Sequence, residues 1–95
     1  MKFKISNPAI GLLHDELAHR GISQKRFAEA CQISASYLSE ILNHKKNISL
    51  EVALKIEATL EIRAGLLLDV QQEYELQKAR EEMSESLGSL QKLTA

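Results

Sequence analysis

Residues 23–42 read SQKRFAEACQISASYLSEIL and contain two short helix-like patterns separated by a few residues. In each pattern the apolar residues recur at three- and four-residue spacing, which places their side chains on one face of a helix. These positions are Phe27, Ala28 and Cys31 in the first pattern, and Leu38, Ile41 and Leu42 in the second. Ser23 and Ser34 stand where each helix needs an N-cap. The stretch therefore predicts two short, adjacent helices, the second with small polar side chains opposite its apolar face.

The flanking sequence predicts three further helices. Asn7 and Pro8 are a start signal, because asparagine caps a helix and proline fits its first turn. This first helix should end at Gly21, a fourth should follow the cap Ser49, and a fifth should begin near Arg63 or Ala64. We therefore predict an all-α, five-helix domain over residues 1–76, with a C-terminal helical extension over residues 77–95.

The two ends of the chain give weaker signals. In the extension, apolar residues recur at helical spacing from Leu76 to Leu90, and the pattern weakens at Gly88. Charged residues lie between them, so this segment is either a partner-binding helix or a solvated overhang. At the N-terminus, Phe3–Ile5 alternates like a strand and is the only strand candidate.

Length and composition limit the class of protein. Ninety-five residues suit one domain. One cysteine allows no internal disulfide, which suits a reducing cytoplasm. The sequence has no run of about 18 apolar residues, so we expect no membrane span. The N-terminal MKFKISNP lacks the apolar region of a signal peptide. We therefore expect a cytoplasmic protein.

The charge distribution is asymmetric although the net charge is only −1. Residues 1–48 hold seven Lys/Arg and four Asp/Glu, which gives +3, and residues 49–95 hold five and nine, which gives −4. A basic N-terminal half and an acidic C-terminal half suit two different partners. Ordinary solvated surface explains the same split equally well.

The spacing of the two central helices is typical of a helix-turn-helix. In that motif the first helix packs across the second, whose outer face is left free for the DNA major groove. With its apolar face turned inward, the second helix should present Ala35, Ser36, Ser39, Glu40 and Asn43 outward, with Tyr37 at the edge. Exposed serines on short helices are nevertheless common in all-helical domains, so the pattern alone does not establish DNA binding.

The polar residue types suit contacts to DNA. Small side chains let a helix approach base edges, which serine and asparagine can bond, and Asn43 could pair with an adenine. Gln24, at the start of the preceding helix, could bond a phosphate with help from the positive end of that helix. Lys45 and Lys46 follow the second helix directly, a position that suits phosphate contacts.

Three stretches resemble the Xre (lambda-repressor-like) helix-turn-helix family, and more closely its HigA-type antitoxins. They are SQKRFAEACQISASYLSEILNHKKNIS, LEVALKIEATL and LLLDVQQEYEL, and the resemblance covers about residues 7–76. It implies a transcriptional repressor that neutralises a ribosome-dependent mRNA endonuclease and represses its own operon as a dimer. The implied partners are operator DNA, a small RNase toxin of the HigB type and a second copy of the chain.

The resemblance also assigns residues by position. It implies base readers at Gln24, Ala35, Ser36, Tyr37 and Ser39, with Asn43 as a further candidate. It implies phosphate binders at Ser23, Lys25, Ser34, Lys45 and Lys46.

The chain departs from the family pattern at several positions. Gln32 replaces the glycine of the turn, so a left-handed backbone there would be strained. In the basic loop of residues 44–47, His44 and Asn47 replace the glycines that are usual there. Ala35 stands where relatives often have Arg or Lys, and Glu40 adds a negative charge to the reading face. We therefore expect weak DNA binding per monomer, with affinity supplied by dimerisation and the flanking lysines.

Two partner surfaces are expected outside the helix-turn-helix. The fifth helix has more apolar residues than one face needs, which predicts a face for a second copy; they are Leu66, Leu67, Leu68, Val70 and Tyr74. The acidic fifth helix and extension suit a basic RNase, with Phe3–Pro8 as a competing contact that could pair as a strand.

Other chemistries find no support in the sequence. His14, His19 and His44 show no ligand spacing with Cys31, and no Gly-rich phosphate loop or nucleophile–base pair is present. We predict a non-enzyme without metal or cofactor. A stand-alone phage- or plasmid-type repressor remains the alternative to an antitoxin, and a helical adaptor is a weaker one. A small basic RNase encoded next to the gene would favour the antitoxin.

Overall fold

A computed structural model describes residues 6–94 of the chain, and in this part only helices are present. The helices are α1 (Pro8–His19), α2 (Gln24–Cys31), α3 (Ala35–Leu42), α4 (Leu50–Leu60), α5 (Ala64–Glu82) and α6 (Ser84–Gly88). The predicted all-α class and the five predicted helices are confirmed. The strand candidate Phe3–Ile5 lies outside the described residues.

Each of the first four helices begins at the cap that the sequence predicted. The side chain of Asn7 accepts a hydrogen bond from the Ala9 N–H at 3.0 Å. The hydroxyls of Ser23, Ser34 and Ser49 accept from the third residue beyond them at 3.1, 3.0 and 3.1 Å. Such caps typically stabilise a helix by about 1 kcal/mol each, so these starts are set locally.

The turn between α2 and α3 has a left-handed backbone at Gln32, although this residue is not a glycine. Gln32 has φ 55° and ψ 44°, and the Ile33 N–H reaches back to the Ala28 carbonyl at 3.0 Å. The strain expected at Gln32 is therefore present. His44 also has a positive φ, of 61°, whereas Asn47 does not.

The core is formed by the apolar faces of α1 to α4, the first two turns of α5, and Ile48 in the segment before α4. Its largest fully buried side chains are Ile10, Leu13, Phe27, Leu38, Ile41, Ile48, Ile56 and Leu67. Gln71 is the last buried residue of α5, and from position 75 to 94 only Ala79 is even half-buried. The second half of α5 therefore contributes no residue to the core.

α5 continues without interruption through the predicted boundary at residues 76 and 77, and it ends at Glu82. Only α6 follows, and it contains no buried residue. The radius of gyration is 16.5 Å, against roughly 12 Å for a compact chain of this length. The long axis of 52 Å fits a helical extension that projects from the core.

No helix within residues 6–94 is long and apolar enough to cross a membrane.

Candidate nucleic-acid interface

The outer face of α3 is a row of polar side chains. Leu38, Ile41 and Leu42 are buried on the inner face. Ser36, Ser39, Glu40 and Asn43 recur at the spacing of one helix face, with Ser36 and Asn43 exposed and Ser39 and Glu40 half-buried. Ser36, at the start of this row, is exposed and is not covered by another helix within residues 6–94. We call these four residues the reading face.

The first turn of α3 is open to a ligand. Ser34 caps the helix through its oxygen, so its hydroxyl hydrogen remains available to donate to a phosphate. Ala35 and Ser36 are exposed. Tyr37 is half-buried against the core, at the edge of the reading face as predicted.

Asn43 lies at the end of α3 and folds back along the helix. Its Nδ2 donates to the Ser39 carbonyl at 2.8 Å and to the Ser39 hydroxyl at 3.1 Å. A bidentate contact to adenine needs both the amide N–H and the carbonyl oxygen. Asn43 must therefore release Ser39 before it reads a base in this way.

The basic loop, residues 44–47, is tied to α3 by its backbone and by one of its lysines. The N–H groups of Lys45 and Lys46 both donate to the Glu40 carbonyl, at 2.8 and 3.3 Å. Lys46 Nζ lies 3.2 Å from Glu40 Oε2 and 5.1 Å from the centre of the Tyr37 ring. The negative charge on the reading face is thus paired with a lysine predicted to bind phosphate.

The start of α2 supplies the second group of predicted residues. Ser23 caps this helix, and Gln24 and Lys25 are exposed in its first turn. The adjacent Arg26 is also exposed, and this cation was not among the residues predicted from the sequence. These residues lie at the positive end of α2, which favours phosphate.

A second feature that the sequence reasoning missed is a buried amide, Gln71. Its side chain makes two hydrogen bonds to the backbone of Ile48, the first residue beyond the basic loop. The signal was present in the sequence, because position 71 lies one helical turn after the core residue Leu67 and yet is polar.

Cys31 is a buried thiol in the core. Burial raises its pKa, while a contact with the Thr59 hydroxyl at 3.7 Å and the charge of Lys55 act in the opposite direction. The thiol is therefore protonated at neutral pH, and a structural role fits it better than a reactive one.

Within residues 6–94, no three His, Cys, Asp or Glu side chains form a group that could hold a metal ion. An open groove of about 620 Å³ separates the basic loop from the exposed half of α5. Most of the residues that line it have polar side chains, among them Asn43, His44, Lys78 and Glu81. Small-molecule sites are usually enclosed and bury most of the ligand, so this open groove does not resemble one.

Solved structures similar to this chain include two HigA proteins. One is the Pseudomonas aeruginosa antitoxin HigA with the higBA promoter, with a TM-score of 0.84, 24% identity, and coverage of 95% of this chain and 98% of that one. The other is an addiction module antidote protein of the HigA family from Coxiella burnetii, with a TM-score of 0.81, 16% identity, and coverage of 97% and 100%.

A third similar structure is a Pseudomonas aeruginosa protein in complex with its 18-base-pair operator DNA. Its TM-score is 0.83 at 22% identity, with 99% of this chain and 100% of that one covered. At these identities the likeness shows the fold. None of the curated proteins matches the chain.

The helix-turn-helix family model HTH_3 matches residues 13–67, which span most of α1, all of α2 to α4 and the first turn of α5. This match covers more than half of the chain and includes the whole reading face. The chain therefore belongs to the helix-turn-helix family.

Proposed function

We propose that this chain is a HigA-type antitoxin that works in the cytoplasm. It represses its own operon by binding operator DNA and neutralises a small mRNA-cleaving RNase toxin, without catalysis of its own. The observation that carries the DNA-binding part is the uncovered reading face of α3, with Lys45 and Lys46 directly beyond it.

In the proposed complex, α3 lies in the major groove. Ser36 and Ser39 contact base edges, Ala35 allows close approach, and Asn43 reads a base after releasing Ser39. Tyr37 and Gln24 contact bases at the edges of the site. Phosphates are bound by Ser23 and Lys25 at the start of α2, by Ser34, and by Lys45 and Lys46. The similar structures with promoter and operator DNA support this mode.

The proposed repressor is a homodimer whose two α3 helices lie about 34 Å apart on a pseudo-palindrome. The apolar excess in α5 that motivated this expectation is smaller in the structure. Leu67 is buried and Leu68 and Val70 are half-buried against the core, whereas Leu66 remains 45% exposed. The proposed dimer contact therefore centres on Leu66. Sedimentation that shows only monomer at micromolar concentration would contradict it.

The toxin surface is proposed on the exposed half of α5 and on α6. Large exposed apolar side chains recur along these helices and the residues that follow them, at Leu76, Met83, Leu87, Leu90 and Leu93. Five glutamates from position 73 to 85 add negative charge, which would steer a basic RNase and orient its encounter. Residues 3–5 of the competing contact Phe3–Pro8 lie outside the described residues.

Deletion of residues 77–95 tests the toxin assignment. All of the deleted residues that the structure describes are exposed except the half-buried Ala79, so the core is retained. We expect the truncated chain to bind DNA and to lose both toxin binding and growth rescue. Retention of both would move the toxin interface elsewhere. If no small RNase is encoded next to the gene, the antitoxin proposal fails and a stand-alone phage- or plasmid-type repressor replaces it.

A further inference from the structure

Gln71 is a polar residue placed where α5 would otherwise carry an apolar one. Only 7% of it is exposed. Its Nε2 donates to the Ile48 carbonyl at 2.7 Å, and its Oε1 accepts from the Ile48 N–H at 2.8 Å. A side-chain amide thus pairs both backbone groups of one buried residue, as a neighbouring strand would.

The same amide is linked to the start of α1. Asn7 Nδ2 donates to Gln71 Oε1 at 2.9 Å and lies 3.4 Å from Asn47 Oδ1. Asn47 in turn donates to Glu75, one turn beyond Gln71. Three segments that are distant in sequence therefore meet at Gln71: the cap of α1, the end of the basic loop, and α5.

The two lysines of the basic loop lie between two fixed points. On one side their N–H groups bond the Glu40 carbonyl of α3. On the other side Ile48, two residues beyond Lys46, is held by Gln71. Without Gln71, the N–H and carbonyl of Ile48 would be buried with no replacement partner, a condition that proteins avoid by moving the backbone.

We propose that Gln71 is a positioning residue for DNA binding, which acts by holding the basic loop so that Lys45 and Lys46 stand beside the end of α3. This inference rests on the proposed function for its DNA-binding consequence. Gln71 itself is buried and does not touch DNA. If Gln71 only stabilised the fold, its loss would weaken all DNA contacts alike and would not act through the lysines in particular.

The experiment compares Gln71→Met with Gln72→Met. Methionine keeps the length and most of the volume of glutamine while removing its hydrogen bonds, and Gln72 is the exposed neighbour on the same helix. In the chain without DNA, amide hydrogen exchange of residues 45–48 should be roughly tenfold faster in Gln71→Met and unchanged in Gln72→Met.

DNA binding is then measured with the segment directly upstream of the gene and with unrelated DNA of equal length. Gln71→Met should weaken binding to both roughly tenfold and flatten the salt dependence, because loosely held lysines neutralise phosphates poorly. In a Lys45→Ala, Lys46→Ala background, Gln71→Met should cause no further loss, because the residue acts through these lysines. An equal loss in that background would overturn the proposal, as would wild-type affinity.

Two additional outcomes separate this proposal from its premises. If Gln71→Met fails to fold, Gln71→Glu replaces it, because an ionised glutamate keeps the shape and the acceptor, loses the donor to the Ile48 carbonyl and adds a negative charge that repels that carbonyl. If the wild-type chain binds neither the upstream DNA nor the unrelated DNA, the proposed function fails. The hydrogen-exchange experiment still decides whether Gln71 holds the loop. Unchanged exchange in both Gln71 variants would overturn the proposal.

Discussion

Lys46 Nζ lies 3.2 Å from Glu40 Oε2, so the single negative charge of the reading face is paired within the chain. Both side chains remain about half exposed. An exposed pair of this kind typically contributes less than about 1 kcal/mol, so a DNA phosphate can compete for the lysine. The ion pair holds Lys46 beside α3 in the free protein and still allows it to be transferred to DNA.

Glu40→Gln should therefore strengthen DNA binding. The substitution removes a negative charge that would face the DNA major groove, and it frees Lys46. The affinity for DNA should therefore rise roughly threefold or more at moderate salt. The free energy of unfolding should change by less than about 1 kcal/mol. Fluorescence anisotropy with upstream DNA measures the first effect and urea unfolding the second. Glu51→Gln is the control, because Glu51 also pairs with a lysine but lies on α4. Equal or lower affinity for Glu40→Gln would place Glu40 away from the DNA.

Removal of both loop lysines should weaken binding to all DNA sequences alike. A chain with Lys45→Ala and Lys46→Ala should flatten the dependence of log affinity on log salt by roughly two, one for each phosphate contact. The control is a chain with Lys78→Ala and Lys92→Ala. It loses the same positive charge, but from the extension. An unaltered slope in the loop variant would show that these lysines do not contact the DNA backbone.

Gln32→Gly should stabilise the protein. Gln32 occupies a left-handed conformation with φ 55°, which glycine adopts without a Cβ clash. Relief of this strain exceeds the entropy that glycine adds to the unfolded chain, for a net gain of about 0.5–1 kcal/mol. The melting temperature should rise by roughly 2–6 °C. Gln72→Gly, within α5, should instead lower it. A lower melting temperature for Gln32→Gly would show that the Gln32 side chain contributes more than its backbone costs.

Cys31 should make stability depend on alkaline pH. Burial raises its pKa in the folded state, so its contribution is complete below the unfolded-state pKa and is lost as pH rises through the folded-state pKa. Urea unfolding from about pH 8 to about pH 10.5 spans the ordinary thiol range. Wild type should lose more stability across this range than Cys31→Ala. The substitution leaves the Thr59 hydroxyl bonded to the Lys55 carbonyl at 2.7 Å. If the free energy of unfolding fell equally with pH in both proteins, burial would not raise the pKa of the Cys31 thiol.

The sequence predicted the local features well, because local chemistry determines them. The caps Asn7, Ser23, Ser34 and Ser49 set the helix starts through bonds that span two or three residues. Periodicity likewise identified the inner face of α3. The pairing of Lys46 with Glu40 was not predicted, because it depends on how the chain turns after α3.

Long-range contacts were the least predictable. Gln71 and Ile48 are 23 positions apart, and Gln71 and Asn7 are 64 apart. No periodicity links such positions, although a polar residue on an apolar stripe marks Gln71 as unusual. The five apolar residues of α5 suggested an uncovered face, but most of them pack on the core, which only the tertiary structure reveals.

The central claim is that the reading face of α3 binds operator DNA, and Ser36→Glu tests it most directly. Ser36 is exposed at the start of this face and does not belong to the core cluster. A carboxylate there would oppose the phosphates, so affinity for the upstream DNA should fall by roughly a hundredfold. The melting temperature should stay within about 2 °C of wild type, as for an exposed substitution. Ser84→Glu, exposed on α6, should bind DNA like wild type. A folded Ser36→Glu chain with wild-type affinity would contradict the account.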